Sequence, residues 1–399
     1  MRRRRLLRGL AGGTTGLLAG CVVGYTPASA GGDDAEEPSE RERTGDLPLP
    51  ESAFRRASPR DAIPAIVDPA FASDWSDVAI DFGDGRTYRP RLPADDPVLG
   101  VELGAVRESS AGEHGTHPPA RAYPLRLLNW HEVVNDMYGG PLLVTYCPLC
   151  RSGLIARRRV REEVTTFGVS GLLLNENLVL YDAATDSQWS QIRAEAVRGQ
   201  LTGTPLEVLP SSLTAWRDWR ADHPETDVLL PPPRSGTVVG EVRLDYSFDL
   251  AGQQRAAEAY LEERVGDDHD DSRLAKRALV LGVGAADERV AYPVSEVAAH
   301  GLIEDRVGDL PVVVVGNAGS AVAYDRRVTG ETLSFTHVEG EPSVLLAGGS
   351  RWAVGSGRAL DGPHEGTRLA QANRSPPMFF FAWLAFNPET RVWGRERSA

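Results

Sequence analysis

A set of short motifs recurs along this chain in one order and at a nearly constant offset, and this repetition constrains the fold more than any single motif. Ala122-Tyr123-Pro124-Leu125 matches Ala291-Tyr292-Pro293-Val294, 169 residues later. At the same offset His131-Glu132-Val133-Val134-Asn135-Asp136 matches His300-Gly301-Leu302-Ile303-Glu304-Asp305. Pro141-Leu142-Leu143-Val144-Thr145 matches Pro311-Val312-Val313-Val314-Val315, and Ser187-Gln188-Trp189 matches Ser350-Arg351-Trp352. Trp219 and Pro224-Glu225-Thr226 match Trp383 and Pro388-Glu389-Thr390. Repetition of this kind comes from a structural unit used more than once.

Within each stretch the pattern favours strands. A helix is predicted over 124–138, with apolar Leu125, Leu128, Val133 and Val134, and Gly139-Gly140-Pro141 stops it. Leu142–Tyr146 is a continuous apolar run that suits a buried strand. Shorter β-like runs follow to Leu209, and a helix begins near Ser211 with Trp216 and Trp219 on one face. The expected fold class is therefore strand-rich α+β: two tandem copies of one mainly antiparallel β unit with flanking short helices. The first copy spans 118–230 and the second, cysteine-free one 286–396. An N-terminal segment of the body covers 61–117 and an insert covers 231–285. With 399 residues the chain has room for a sizeable core in each part.

Residues 1–30 read as an address rather than as part of the fold. Arg2-Arg3-Arg4-Arg5 followed by Leu6-Leu7 resembles a twin-arginine export signal. Leu17-Leu18-Ala19-Gly20-Cys21 resembles a lipobox, which would make Cys21 the lipidated first residue of the mature chain. A plain signal peptide cut after Ala28-Ser29-Ala30 is the alternative. Either places the protein outside the cytoplasm. With the lipid, its partner is the outer face of the cytoplasmic membrane. Residues 31–60 are acidic and poor in large apolar groups, and read as a disordered tether.

Cleavage before Cys21 removes five arginines and takes the net charge from −13 to −18. Such a chain is a poor partner for nucleic acid, whose phosphates require a basic surface. Only one of the 43 basic residues, Lys276, is lysine. An acidic, lysine-poor surface is like that of proteins adapted to high salt, although a GC-rich genome gives the same arginine bias. No unbroken apolar run is long enough to span a bilayer.

Beyond Cys21 the chain has two cysteines, in Cys147-Pro148-Leu149-Cys150, at the end of the predicted buried strand. Three readings of this pair stand. Two thiolates three residues apart can hold one soft or borderline metal ion. They can exchange with disulfides. Or they form an inert structural pair, which an exported protein readily acquires. Metal and redox work together outrank the inert pair, with metal first. His131 is the candidate additional ligand, with Glu132 and Asp136 beside it to orient the imidazole. Thiolate plus imidazole suits copper and zinc alike. His300 retains the histidine where the second copy has Asn317 and Ser320 in place of the thiols. A lone helical histidine also commonly bonds a backbone carbonyl, and both copies fit that role.

A second constellation joins Asp182, Thr185, Trp189 and Gln191. Asp182 and Thr185 suit a turn, and Trp189 and Gln191 share one strand face. Together they could line a small-molecule groove, or they could close a β layer from within. The chain has no Gly-rich phosphate loop, nucleophile elbow or zinc-protease helix motif.

Taken together, the AYPL, HEVVND, VTYCPLC, FGVSGLL and SQWSQ segments, with Tyr181-Asp182, Trp216 and His223-Pro224-Glu225-Thr226, resemble the prokaryotic family of exported proteins called domain of unknown function 3179. The resemblance covers about 118–396. Members usually carry glycine after the second cysteine and before the Ser-x-Trp, where this chain has Arg151 and Asp186. The resemblance implies an exported, often lipid-anchored or membrane-tethered protein, and no established activity. The leading reading is an extracytoplasmic lipoprotein with a Cys147/Cys150/His131 metal or redox site. The alternative is a non-enzymatic ligand-binding or scaffold module with a structural Cys147–Cys150 disulfide.

Overall fold

The computed structural model describes residues 47–81, 87–106, 118–238, 249–265, 271–317 and 319–395. The export signal, Cys21 and the tether as far as residue 46 lie outside them.

Strand β1 (Pro97–Glu102) pairs antiparallel with β2 (Ala120–Pro124). Helix α1 (Leu125–His131) then leads into a meander of β3 (Val133–Met137), β4 (Pro141–Cys147) and β5 (Ser152–Arg157). A third sheet follows, of β6 (Phe167–Leu174), β7 (Asn177–Asp182), β8 (Gln188–Ser190) and β9 (Glu195–Arg198). The chain then returns to the first sheet. Strand β10 (Ser212–Ala215) pairs with β1, and after α2 (Trp216–Asp222), β11 (Asp227–Leu229) lies parallel to β2.

Helix α3 (Leu250–Arg264) separates this series from a second. There β12 (Leu279–Ala285) pairs with β13 (Glu288–Pro293), and α4 (Val294–His300) leads into β14 (Leu302–Val307), β15 (Leu310–Asn317) and β16 (Ser320–Asp325). Next come β17 (Thr336–Val338), β18 (Glu341–Ala347) and β19 (Ser350–Ala353). Finally β20 (Met378–Phe379) returns to β12, and after α5 (Phe380–Phe386), β21 (Arg391–Val392) lies parallel to β13.

The six sheets of three or more strands form a six-bladed β-propeller arrangement, which corrects the expected α+β class and its two tandem units. The connecting helices α1, α2, α4 and α5 are seven residues each, too short to form a helical layer. Nor is the core divided at the insert. One apolar cluster runs from Ile63 through Cys147, Trp189 and Leu261 to Phe379 and Ala382. The Phe379 amide donates to the Cys150 carbonyl at 2.9 Å, tying β20 to the turn after β4. The matched motifs thus mark like positions within one interlocked body.

Two further expectations change. The helix over 124–138 stops at His131, because Glu132 takes a left-handed conformation (φ +56°) and β-branched Val133 and Val134 enter a strand. Gly301 takes the matching position with φ +73°. The tether ends before residue 60: Leu49 and Ala53 are buried, and Arg55–Arg56 pairs with β6.

The tryptophans singled out on α2 and α5 serve as anchors. Trp219 donates Nε1–H to Thr226 Oγ1 and Trp383 does so to Thr390 Oγ1, both at 2.9 Å. Their rings lie on Gly100 and Gly282, where a Cβ would come within 2.4 and 2.1 Å of ring carbons. Among the described residues no helix is long and apolar enough to cross a membrane.

Candidate functional site: a buried thiol pair

The two thiols stand at the mouth of the β4–β5 hairpin. Cys147 and Ser152 are paired across it, and Pro148-Leu149-Cys150-Arg151 makes the connection. Closing this loop requires a left-handed residue at Arg151 (φ +52°). Glycine enters that conformation freely, whereas a side chain costs about 1–2 kcal/mol. Asp186 also has a left-handed backbone (φ +57°), and aspartate tolerates that region better than most residues. Both residues therefore hold a backbone conformation that glycine enters freely.

Both cysteines are free thiols and are almost wholly buried, with exposures of 1% and 0%. The side chains hydrogen-bond to each other. Burial opposes ionisation of Cys147. The Cys150 thiol and the main-chain N–H groups of Cys150, Leu178 and Leu149 outweigh it and bring Cys147 below the ordinary thiol value. Burial and the neighbouring Cys147 push Cys150 well above it. Ionisation is thus easier at Cys147 than at Cys150.

The turn between β6 and β7 covers the sulfurs. Leu174 pairs with Asn177, so Asn175 and Glu176 form a two-residue loop, both left-handed as the twist of a hairpin demands. The Glu176 carbonyl oxygen lies 3.3 Å from Cys150 Sγ and 3.9 Å from Cys147 Sγ. Its carboxylate pairs with Arg55, which also bonds the Tyr260 hydroxyl on α3.

Beside Cys150 lies a buried polar network that the sequence reading only partly found. Gln191 Oε1 accepts from Ser152 Oγ at 2.7 Å and Asn177 Nδ2 at 2.9 Å. Gln191 Nε2 returns a bond to the Ser152 carbonyl at 3.0 Å. The Asn177 side chain also hydrogen-bonds Cys150. Ser152 and Asn177 were not singled out from sequence. The available signal was the pairing of Ser152 opposite Cys147 across a tight hairpin.

His131 does not join the sulfurs. Its Nδ1 lies 2.6 Å from the Pro64 carbonyl oxygen, and burial holds its pKa down to about 4, so it is a neutral ring fastening α1 to the segment before residues 66–68. His300 likewise bonds a backbone carbonyl, that of Glu296 at 2.9 Å. Glu132 is buried at the left-handed end of α1. Asp136 accepts from Tyr123 OH at 2.6 Å and from Arg121 Nη1 at 2.8 and 2.9 Å. Among the described residues no group of three or more His, Cys, Asp or Glu side chains is placed to hold a metal ion. The Cys147/Cys150/His131 ligand set for copper or zinc is therefore not assembled.

Asp182, Thr185 and Trp189 do come together, but inward. Asp182 accepts from Thr185 N (2.7 Å), Thr185 Oγ1 (2.8 Å), Ser187 N (3.2 Å) and Trp189 Nε1 (3.0 Å). Asp182 and Trp189 are fully buried and Gln191 belongs to the network beside Cys150, so these groups pin the β7–β8 connection.

Helix α3 packs over the thiol turn. Ala257 and Leu261 share the apolar cluster of Cys147 and Cys150, and Asn129 Nδ2 donates to Gln253 Oε1 at 2.8 Å. A small cavity of about 20 Å³ remains between α3 and the turn, bordered by Pro148, Arg151 and Phe379. The Arg151 Nε beside it is buried without a hydrogen-bond partner among the described residues.

Fold and site together define a strand-rich propeller protein with a buried dithiol turn. The family model described as protein of unknown function (DUF3179) matches residues 60–390, and the chain belongs to that family. No curated protein and no solved structure matches the chain.

Proposed function

We propose that this is an exported, lipid-anchored protein whose Cys147–Cys150 pair cycles between dithiol and disulfide. The placement of two free, buried thiols in hydrogen-bond contact, with ionisation easier at Cys147, carries the reading. The twin-arginine and lipobox motifs support a location where disulfides form and persist, with Cys21 as the anchor.

The chemistry is thiol–disulfide exchange with a disulfide-bearing partner. The Cys147 thiolate attacks one partner sulfur, the partner S–S bond breaks, and one partner thiolate leaves. Cys150 then gives up its proton to a partner thiolate, and its sulfur attacks Cys147 Sγ. The Cys147–Cys150 bond forms and the second partner thiolate departs. The protein loses two electrons and the partner disulfide gains them; the reverse direction uses the same steps.

Left-handed Arg151 closes the turn that carries both sulfurs. Helix α3 shields them, so exchange requires α3 to move. The test is trapping. Cys150→Ser protein treated with a small aromatic disulfide accumulates a mixed disulfide at Cys147, which the parent protein resolves. Failure of Cys147 to form any mixed disulfide under native conditions, while it does so after unfolding, overturns the reading.

A further inference from the structure

Helix α3 meets the thiol turn through one narrow stripe. Its buried residues are Gln253, Ala257 and Leu261, spaced four apart on one side of the helix. Ala251, Arg255 and Glu262, on the opposite side, are exposed. Ala257 and Leu261 border the cavity of about 20 Å³ beside Pro148 and Arg151.

The cover goes with the thiols. At the matching turn after β15, Asn317 and Gly319 are exposed and Ser320 is half-buried, whereas Cys147 and Cys150 are almost wholly buried.

Polar bonds fasten both ends of the stripe. Near the N-terminus of α3, Gln253 is held by Asn129. Near the C-terminus the fastener is Arg55. It donates to the Tyr260 hydroxyl and to both carboxylate oxygens of Glu176, with Nε 3.0 Å from Oε1. Its guanidinium also lies 5.6 Å from the centre of the Tyr260 ring. One arginine thus ties α3 to the β6–β7 turn that touches Cys150. Arg55 belongs to neither element. It stands on an N-terminal strap, residues 47–58, in which Leu49 and Ala53 are buried and Arg55–Arg56 pairs with the edge of β6. The strap follows directly on the residues read as the tether.

We infer that α3 is a lid over the dithiol and that Arg55, on the N-terminal strap, is its latch. The inference rests on the thiol reading and adds the regulation of that site. With the latch closed, an incoming disulfide does not reach Cys147. Release of Arg55 lets α3 lift by local opening rather than by global unfolding. Access to the thiols is thereby set by the segment that joins the body to its expected anchor.

Alkylation of the reduced full chain with iodoacetamide, followed at Cys147 and Cys150 by peptide mass, tests this. It reads access to the sulfurs whether or not they form a disulfide. The parent protein is expected to react slowly under native conditions, and Arg55→Gln to react about tenfold faster or more, the loss of a charge-assisted hydrogen bond. Removing a positive charge does not favour a thiolate, so a faster reaction reports access. Tyr260→Phe, which removes the hydroxyl alone, is expected to speed the reaction by a smaller factor. Hydrogen exchange of the α3 amides should rise in step with alkylation while that of β4 stays at the parent rate. Alkylation unchanged in both variants, parent thiols that react as fast as in the unfolded chain, or α3 and β4 amides that exchange together overturns the inference. Alkylation that follows the latch in a protein whose thiols never form a disulfide would overturn the thiol reading and leave the lid standing.

Discussion

The Sγ of Cys150 lies 3.3 Å from the main-chain oxygen of Glu176, whose carboxylate, on the far side of the same residue, pairs with Arg55. A two-residue hairpin turn thus touches the thiol pair with its backbone and, through Arg55 and Tyr260, the helix that covers them with its side chain. Glu176 thus contacts both the thiols and, through Arg55, helix α3.

That arrangement fixes an expectation for the nucleophile. Burial opposes the Cys147 thiolate, and the Cys150 hydrogen bond is the largest factor lowering its pKa. Cys150→Ala removes that bond, and a hydrogen bond to a charged group contributes about 1.5–3 kcal/mol. Its Cys147 should titrate at a higher pH than in the parent protein, followed by thiolate absorbance or by the pH profile of alkylation. An unchanged profile would mean that Cys150 does not set the reactivity of Cys147.

His131 gives a pH dependence of stability. Its folded pKa of about 4 lies below the unfolded value of 6.5 because the ring is buried. The unfolded chain therefore binds the proton first as pH falls. Its stabilising contribution is complete above about pH 6.5 and declines as pH drops toward 4, by about 3 kcal/mol in total. Urea unfolding across this window should show the loss, and a His131→Gln variant should show a smaller slope.

Asp136 and Asp305 occupy matched positions and receive matched tyrosine hydroxyls, at 2.6 and 2.9 Å. Their arginines differ. The Arg121–Asp136 pair is buried, with side-chain exposures of 10% and 4%, whereas Arg391 and Asp305 are 41% and 21% exposed. Asp136→Ala leaves a buried guanidinium uncompensated and should cost about 3–5 kcal/mol. Asp305→Ala should cost about 1–2 kcal/mol. Equal losses in thermal or urea unfolding would contradict this assignment of burial.

Gly100→Ala places a Cβ 2.4 Å from the Trp219 ring, and Gly282→Ala one 2.1 Å from Trp383. Both rings are fastened through Nε1 and cannot swing away without losing that bond. Each change should destabilise by about 1–3 kcal/mol or more. Gly203→Ala is a poor control, since Gly203 has φ +83°; Gly104→Ala, with no atom near the added carbon, should lie within about 0.5 kcal/mol of the parent protein.

What the amino-acid sequence disclosed is specific. The pairs Tyr123–Asp136 and Tyr292–Asp305, and the bonds from Trp219 to Thr226 and Trp383 to Thr390, fall on residues that the motif matches had already aligned. The propeller did not disclose itself, because an antiparallel meander has the same local pattern in many β architectures. The closures of β10 on β1 and β20 on β12 each span about a hundred residues. The helix was read too long because Val133 and Val134 fit an apolar helix face as well as a strand. Gly301, opposite Glu132, was the legible sign of a left-handed break. His131 could not be directed from sequence: its partner is a carbonyl 67 residues earlier. The network of Ser152, Asn177 and Gln191 is assembled from two strands and the loop after a third, none adjacent in sequence.

The central claim is that Cys147 and Cys150 form a reversible couple, and its most direct measurement is the redox equilibrium of the folded protein. Samples poised in glutathione or dithiothreitol buffers are quenched with an alkylating reagent, and free thiols are counted. The account predicts two thiols in reducing buffer, none in oxidising buffer, and a single two-electron transition at a potential between about −120 and −270 mV, the range of thiol–disulfide exchange proteins. Thiols that persist at every poise, or a disulfide still intact below about −300 mV as in structural bonds, would contradict it.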